Sequence, residues 1–588
     1  MVTGPRKLFF ATILTLVAAG LASASQAPAN IYFAQTAQGS SNGADCADAY
    51  AYNDGTHGIN QSASWVAGNT LHICGIITLP AGTNFITARA SGSSTSPITI
   101  QFEANSIFQE PYFGSGNSSG INLNGNSYIT ITSPATGSAG AGTLSGYGTI
   151  QAYSNGTQGA LACTGTSATT APGSSECNSN VVTMSAIYAI GSNYVTLSNM
   201  NCSNMYVITA AESTAPGGAP GNDCFQGGGE AVTVSNNIMS YDGLPVDLTY
   251  PYCTSGYGTA SCSNTYISGN YFSSDGWGVG CAPGNVTNYY VHDNHFTNFV
   301  PWTYAAGGVH VNGIHCYDLG LTSTSTSGGI QNFYLYNNLF DGNMGTTEWT
   351  AWVYLEADWG GCGSGYWTNS TGTAYVWNNI FAGSLDIPNA RLDICAGTGH
   401  EVLNNVFYAP NATNSGRLFS MFGNGSATGM FENNVFEGSD QAFYISGLKS
   451  ITADYNIYAN LNGGNPYFIA LSYGGNSFSA WQSSCSCDSH SQAQLTSALA
   501  DFTSEGIPIA GFVGLKYGVN LTSDAAGSLA TLNTGTTVGA SLTGQARPTG
   551  TCSTQGSSSC WDIGAYEISN GTANLLPNPP TGLAAVVQ

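Results

Sequence analysis

The chain has 588 residues, with 31 acidic against 8 basic side chains, a formal net charge of −23 at pH 7, and only 7% charged residues. So acidic a surface repels phosphate groups and speaks against nucleic acid as a partner. With 77 Gly and little that reads as an amphipathic helix, an almost wholly β and turn protein is expected.

Residues 1–24 read as a secretory signal: Arg6-Lys7 precedes the apolar run Leu8 to Ala19, and Ala22-Ser-Ala24 offers small residues for cleavage. That run is short for a membrane span, and no later stretch approaches 18 uninterrupted apolar residues, so a secreted or cell-surface protein is expected. All 16 cysteines follow the signal, an even number that suits disulfides in an oxidising compartment. Sequence neighbours are expected to pair: Cys46 with Cys74, Cys163 with Cys177, Cys202 with Cys224, Cys253 with Cys262, Cys281 with Cys316, Cys362 with Cys395 and Cys552 with Cys560, which leaves Cys485 and Cys487 as near neighbours.

From Asn30-Ile-Tyr-Phe33 the chain opens with a strand, a Cys-containing loop and short alternating strands such as Ile98-Thr-Ile-Gln-Phe102 and Tyr128-Ile-Thr-Ile131. The stretches Gly137 to Gly142 and Gly165 to Ser175 read as loops. Between about residue 230 and residue 460 one phrase then recurs, as in Val234-Ser-Asn-Asn-Ile-Met239, Ile267-Ser-Gly-Asn-Tyr-Phe272, Leu335-Tyr-Asn-Asn-Leu-Phe340, Val376-Trp-Asn-Asn-Ile-Phe381 and Phe431-Glu-Asn-Asn-Val-Phe436. A period of roughly 22 to 44 residues marks a solenoid, because one coil cannot bury its apolar face without a neighbour. Val, Ile, Phe and Tyr alternate with Ser, Thr and Asn over about five residues, which favours strands and a parallel β-helix. An Asn at the same bend of successive coils can adopt the left-handed conformation and bond the Asn about 4.8 Å away, giving an internal ladder.

Regular coils are expected over about 182–471 within a single β-helix domain at 25–571. A short helix near Ala480-Trp-Gln482 opens a C-terminal capping segment at about 472–571. Residues 572–588, with Pro577, Pro579 and Pro580, read as a linker whose last residues are similar to the first strand of a fibronectin type III module.

The Asn-Asn-x-Phe coils, the segment Trp481-Gln482 to Asp488-Ser-His-Ser491 and the ending Asp562-Ile-Gly-Ala-Tyr-Glu567 resemble secreted right-handed parallel β-helix proteins of the pectate-lyase-like superfamily. The resemblance covers most of the chain after the signal. It implies fold more than activity, since that superfamily holds polysaccharide lyases, glycoside hydrolases, epimerases, tailspikes and adhesins. Neither the lyases' basic catalytic motif nor the Asn-Thr-Asp and Gly-His-Gly runs of polygalacturonase-like hydrolases has a clear match. The family's pattern places Asp488, His490, Asp562 and Glu567 in capping roles.

After each Asn phrase comes a further strand: Val246-Asp-Leu248, Val309 to His315, Val353 to Asp358, Arg391 to Ile394 and Arg417 to Ser420. Strict alternation puts Asp247, His310, Asn312, Tyr354, Glu356, Arg391, Asp393 and Arg417 outside on one sheet. Carboxylates one or two coils apart would stand about 5 or about 10 Å apart, the range used by retaining and inverting glycosidases. Glu356 and Asp393 are the expected catalytic pair, with His310, Arg391 and Arg417 as acid/base or uronate-binding groups. Asp247, Asn312, Tyr354, Trp352, Trp359 and Trp302 would bind the sugar, with Trp277, Tyr304 and Trp349 nearby. For a lyase, Arg391 or Arg417 would be the base, and Asp358 with Glu356 and Asp393 could hold Ca²⁺. The expectation is a monomer that cleaves an acidic extracellular polysaccharide, with a non-catalytic adhesin or glycan-binding protein as the alternative.

Overall fold

The computed structural model describes residues 29–111, 113–114, 116–153, 162–163, 183–205, 208–209, 221–248, 262–281, 286–299, 311–316, 331–344, 351–355, 373–382, 390–394, 399–409, 416–422, 428–438, 441–461, 466–470, 472–499, 502–503, 506–509, 511–521, 541–542 and 545–568. Their strands form three long sheets of 14, 13 and 13 members. One coil visits the sheets in turn, as in Gln331–Tyr336, Leu339–Asp341 and Ala351–Leu355, and the next coil stacks on it in register. Every pairing along the coils is parallel until Phe468–Ala470 meets Tyr473–Gly475 antiparallel at the top of the third sheet. Parallel crossovers of this kind are right-handed, and the chain is a right-handed parallel β-helix.

The recurring Asn phrase makes the corner between the first and second sheets, and its two central residues divide the work. The first takes the left-handed turn: Asn236, Asp293, Asn337, Asn378, Asn404 and Asn433 have φ between 55° and 57°. The second points inward and builds the ladder. Asn294 donates from its backbone N–H at 3.1 Å and from Nδ2 at 3.0 Å to Asn338 Oδ1, and from Nδ2 to Ile267 O one coil below at 2.8 Å. Asn237, Asn270, Asn338, Asn379, Asn405, Asn434 and Asn456 continue the pattern, all fully buried. The side-chain amides thus meet backbone groups that the corner would otherwise strand in the core.

Beside this ladder, Phe272, Phe296, Phe340, Phe381, Phe407, Phe436 and Tyr458 stack along the second sheet's inner face with ring centroids 4.6 to 5.4 Å apart. Coil spacing matches ring stacking distance, so one aromatic per coil fills the core.

At the upper end the helix Phe478–Cys485 lays Trp481 over Phe443 and Phe468. Asp488 terminates the ladder by accepting from Asn456 Nδ2, Trp481 Nε1 and Tyr458 OH. The tail beyond then runs along the outside of the coils. Leu499, Ile507, Phe512, Ile563 and Tyr566 pack on Ile380, Val406, Val435 and Ile457 of the second sheet, while Leu521 and Trp561 pack on Tyr334, Tyr336 and Trp377 of the first. Disulfides join Cys46–Cys74, Cys202–Cys224, Cys281–Cys316 and Cys552–Cys560 as expected, and Cys485–Cys487 as well. Each of the other three expected pairs has at least one member outside the described residues, and the signal and linker segments lie outside them too.

Candidate functional site

The third sheet carries the strip on which the expected site was built. Its strands do not alternate strictly. In several of the longer ones the pairing passes over one residue: Asn312 pairs with Ala351 and Ile314 with Val353, while Ala390 pairs with Arg417 and Leu392 with Phe419. At that step two consecutive residues turn inward, so Trp352 and Val353, Leu418 and Phe419, and Ala442 and Phe443 all belong to the main core. The strand therefore reads out, in, in, out, in. Gly278 and Gly313 hold the stepped position lower down, where a Cβ would come within 2.5 Å of Gly313 O or 2.7 Å of Trp352 O.

This kink corrects two expectations. Trp352 is fully buried in the core, its Nε1 donating to Ala382 O at 3.2 Å, and is not a sugar platform on a flanking loop. Arg391 holds the stepped position one coil up, 3% exposed, with Nη1 donating to the same Ala382 O at 3.1 Å. Burial lowers its pKa to about 10. Arg391 is thus withdrawn from the outer strip.

Two outward columns remain. One runs Gln226, Asp247, Gly280, His315, Tyr354, Asp393, Ser420, Tyr444. The other includes Trp277, Asn312 and Ala351, and higher up Ala390, Arg417 and Gln441. Asp247, Asn312, Tyr354, Asp393 and Arg417 therefore share one face, as expected. Arg417 lies over the Tyr444 ring at 4.2 Å and reaches Ser420 Oγ at 3.5 Å. His315, which strict alternation from Asn312 does not place outward, stands at the strip's centre, stacked on Tyr354 at 5.1 Å and edge-on to Trp277 at 4.5 Å. Burial pushes the His315 pKa down to about 3, so the imidazole is neutral. Glu356, His310, Asp358, Trp359 and Trp302 lie outside the described residues.

The strip differs from an open groove in its burial: Asp247, His315 and Asp393 are each 3% exposed and Asn312 is 0%. Asp247 and Asp393 are four coils apart, about 19 Å, too far to share one glycosidic bond. A nearer acid was missed from sequence. Asp223, fully buried, meets Ser185 Oγ at 3.4 Å; Ser185 reaches Gln226 Oε1 at 3.0 Å, and Gln226 Nε2 donates to Asp247 Oδ2 at 3.0 Å. Burial, then the Asp247 charge, raises the Asp223 carboxyl well above the usual carboxylate range. Its sequence signal is the out-in-in-out frame of Asp223-Cys-Phe-Gln226, visible only once the kink is known. Among the described residues no group of three His, Cys, Asp or Glu is placed to hold a metal ion.

No family model and no curated protein matches the chain. Among solved structures it is similar to pectate lyase Pel9A, at 13% identity and TM-score 0.35 over 92% of this chain and 96% of that one. It is also similar to PfbA, a surface adhesin of Streptococcus pneumoniae, at 11% identity and TM-score 0.33 over 68% and 86%. Likeness this distant leaves the functional argument to the residues themselves.

Proposed function

We propose that this is an extracellular carbohydrate-active β-helix protein that cleaves an acidic polysaccharide on the outer face of its third sheet. The observation that carries the reading is the shared outward column from Asp247 through His315 and Tyr354 to Asp393, with Arg417 on the neighbouring column one coil above Asp393. An acid, a neutral imidazole, ring surfaces and a guanidinium on one wall are the groups that bind a uronate and move a proton at its linkage. Asp393, expected to act together with Glu356, is the proposed reacting carboxyl. With Arg391 drawn into the core, Arg417 is the arginine left on the strip, so cleavage is by hydrolysis at Asp393 or by elimination with Arg417 as the base.

The four coils, about 19 Å, between Asp247 and Asp393 favour a second reading, a non-catalytic glycan-binding protein. Incubation with pectins, alginate and other uronate polymers, with and without Ca²⁺, separates the two when ultraviolet absorbance and reducing ends are recorded. New reducing ends without unsaturated products, lost in Asp393→Ala at an unchanged melting temperature, support hydrolysis. Silence on every polymer alongside retained glycan binding supports the binder.

A further inference from the structure

Two outward columns climb the lower coils of the first sheet, away from the strip described above. One is Thr70, Thr99, Thr130, Thr196, Thr233, each in register with the next. The other is Gln101, Thr132, Ser198, Ser235, Ser268. The chain between successive threonines varies from 29 to 66 residues, yet each coil returns a threonine to the same place. Between the columns, Leu71, Ile100, Ile131, Leu197 and Val234 are fully buried, which pins the backbone from below.

The result is a flat lattice of hydroxyl and methyl groups, bounded at its lowest corner by the Gln101 amide, which donates to Glu103 Oε1 at 3.1 Å, with positions about 4.8 Å apart between coils and about 6.8 Å along each strand. Threonine's branched Cβ restricts χ1, so the hydroxyls are set in place before anything binds. Ser198 Oγ donates to Thr132 Oγ1 at 2.9 Å, which links neighbouring coils within the lattice. None of the ten side chains is charged, and all are half-buried, as expected of a flat face open to water.

Higher up, the threonine column becomes Tyr266, Tyr290, Tyr334, Tyr375, and there Leu521 and Trp561 of the tail join the tyrosine cluster. Rings give way to hydroxyls where that covering ends. Tyr128 and Tyr194 flank the lattice but stack on each other at 4.4 Å and 2°. Tyr266 and Tyr290 do the same at 4.7 Å and 6°. Rings stacked coil on coil spend their faces on one another and turn edges outward, so a pyranose finds little ring face to lie on.

We propose that this face binds ice. A rigid, uncharged, two-dimensional repeat of hydroxyls and methyls orders water in rows, and the surface complementary to such rows is another regular lattice of water. This assignment is independent of the polysaccharide reading and uses a different wall of the helix.

The test is the growth of a single ice crystal in a dilute solution of the purified chain, together with inhibition of recrystallisation in a frozen film. The native protein should facet the crystal and open a gap between melting and freezing points. Thr130→Lys with Thr196→Lys, which puts two charged chains in the centre of the lattice, should close that gap, whereas Thr78→Lys on the second sheet should leave it unchanged. Circular dichroism and melting temperature verify folding; if the double variant melts early, Thr99→Lys asks the same question one coil lower. Ice that grows rounded and unhindered in the native protein overturns the proposal. So does a gap that survives the lysine variants, or capture of an insoluble polysaccharide by this face without any effect on ice.

Discussion

Each ladder asparagine satisfies groups in three coils at once, so removing one strands several. In Asn338→Ala the Asn294 amide loses its acceptor at 3.0 Å and Val291 O loses its donor at 2.9 Å, both in the core. Leaving buried groups unmet costs about 1 to 3 kcal/mol each, so a loss of several kcal/mol is expected, read as a lower denaturation midpoint with an unchanged slope. The flanking Asn337 has its Nδ2 3.2 Å from Asp293 Oδ1 and chiefly supplies the left-handed turn, so Asn337→Gly should cost far less. Sequence showed the recurring pair but not this division, because which amide faces the core depends on the coil already being wound. Arg391 poses the reverse case. Placed by alternation among the reacting groups, it is buried against Ala382 O, and Arg391→Ala should lower the melting temperature, whatever it does to activity.

Strand by strand, the third sheet shows where pattern reading fails. Period two is a property of an unbroken ladder, and one stepped position per strand moves every residue on one side of it to the other face. That is why Arg391 and Trp352 were misplaced while Asp393, Tyr354 and Asn312 were not. The tail is a second element whose role depends on contacts distant in sequence. Arg547, fully buried, bonds Asn378 Oδ1 at 3.2 Å, Gly564 O at 2.8 Å and Asp562 O at 2.9 Å, and pairs with Glu567, which also binds Lys516. Breaking a buried pair from one side costs about 3 to 5 kcal/mol. Arg547→Ala should therefore loosen the tail from the coils, seen as faster protease cleavage between residues 500 and 568 while the coils below resist.

For the whole molecule, the unusual feature is a set of buried acids with raised pKa values. Burial pushes the Glu110 carboxyl up to about 9. Asp242 and Asp275 are raised well above the ordinary value, chiefly by burial, on adjacent coils where Asp242 N–H donates to Asp275 Oδ1 at 2.9 Å. Asp223 behaves alike. In the unfolded chain these groups ionise above about pH 4 to 5, while in the folded chain burial shifts their ionisation upward, for Glu110 to about 9. A raised carboxyl contributes its full stability below the unfolded pKa and loses it as pH climbs toward the folded value, so stability should fall from about pH 5 to about pH 9. Thermal melts across that range check the sign, and Glu110→Gln should flatten the slope. A melting temperature that rises with pH would show these carboxyls ionised in the folded protein.

The winding, the parallel sheets, the corner ladder and four of the five observed disulfides with their partners follow from sequence, because each depends on residues recurring at fixed places within one coil and the next. The outward register of Asp247, Tyr354 and Asp393 could be read for the same reason. Tertiary structure alone decided the rest: which residue of a kinked strand turns inward, that Asp223 lies beside Asp247, and that threonines from distant coils form one lattice. Those depend on how coils of unequal length are brought into register, and loops of any length between strands are compatible with the same local pattern.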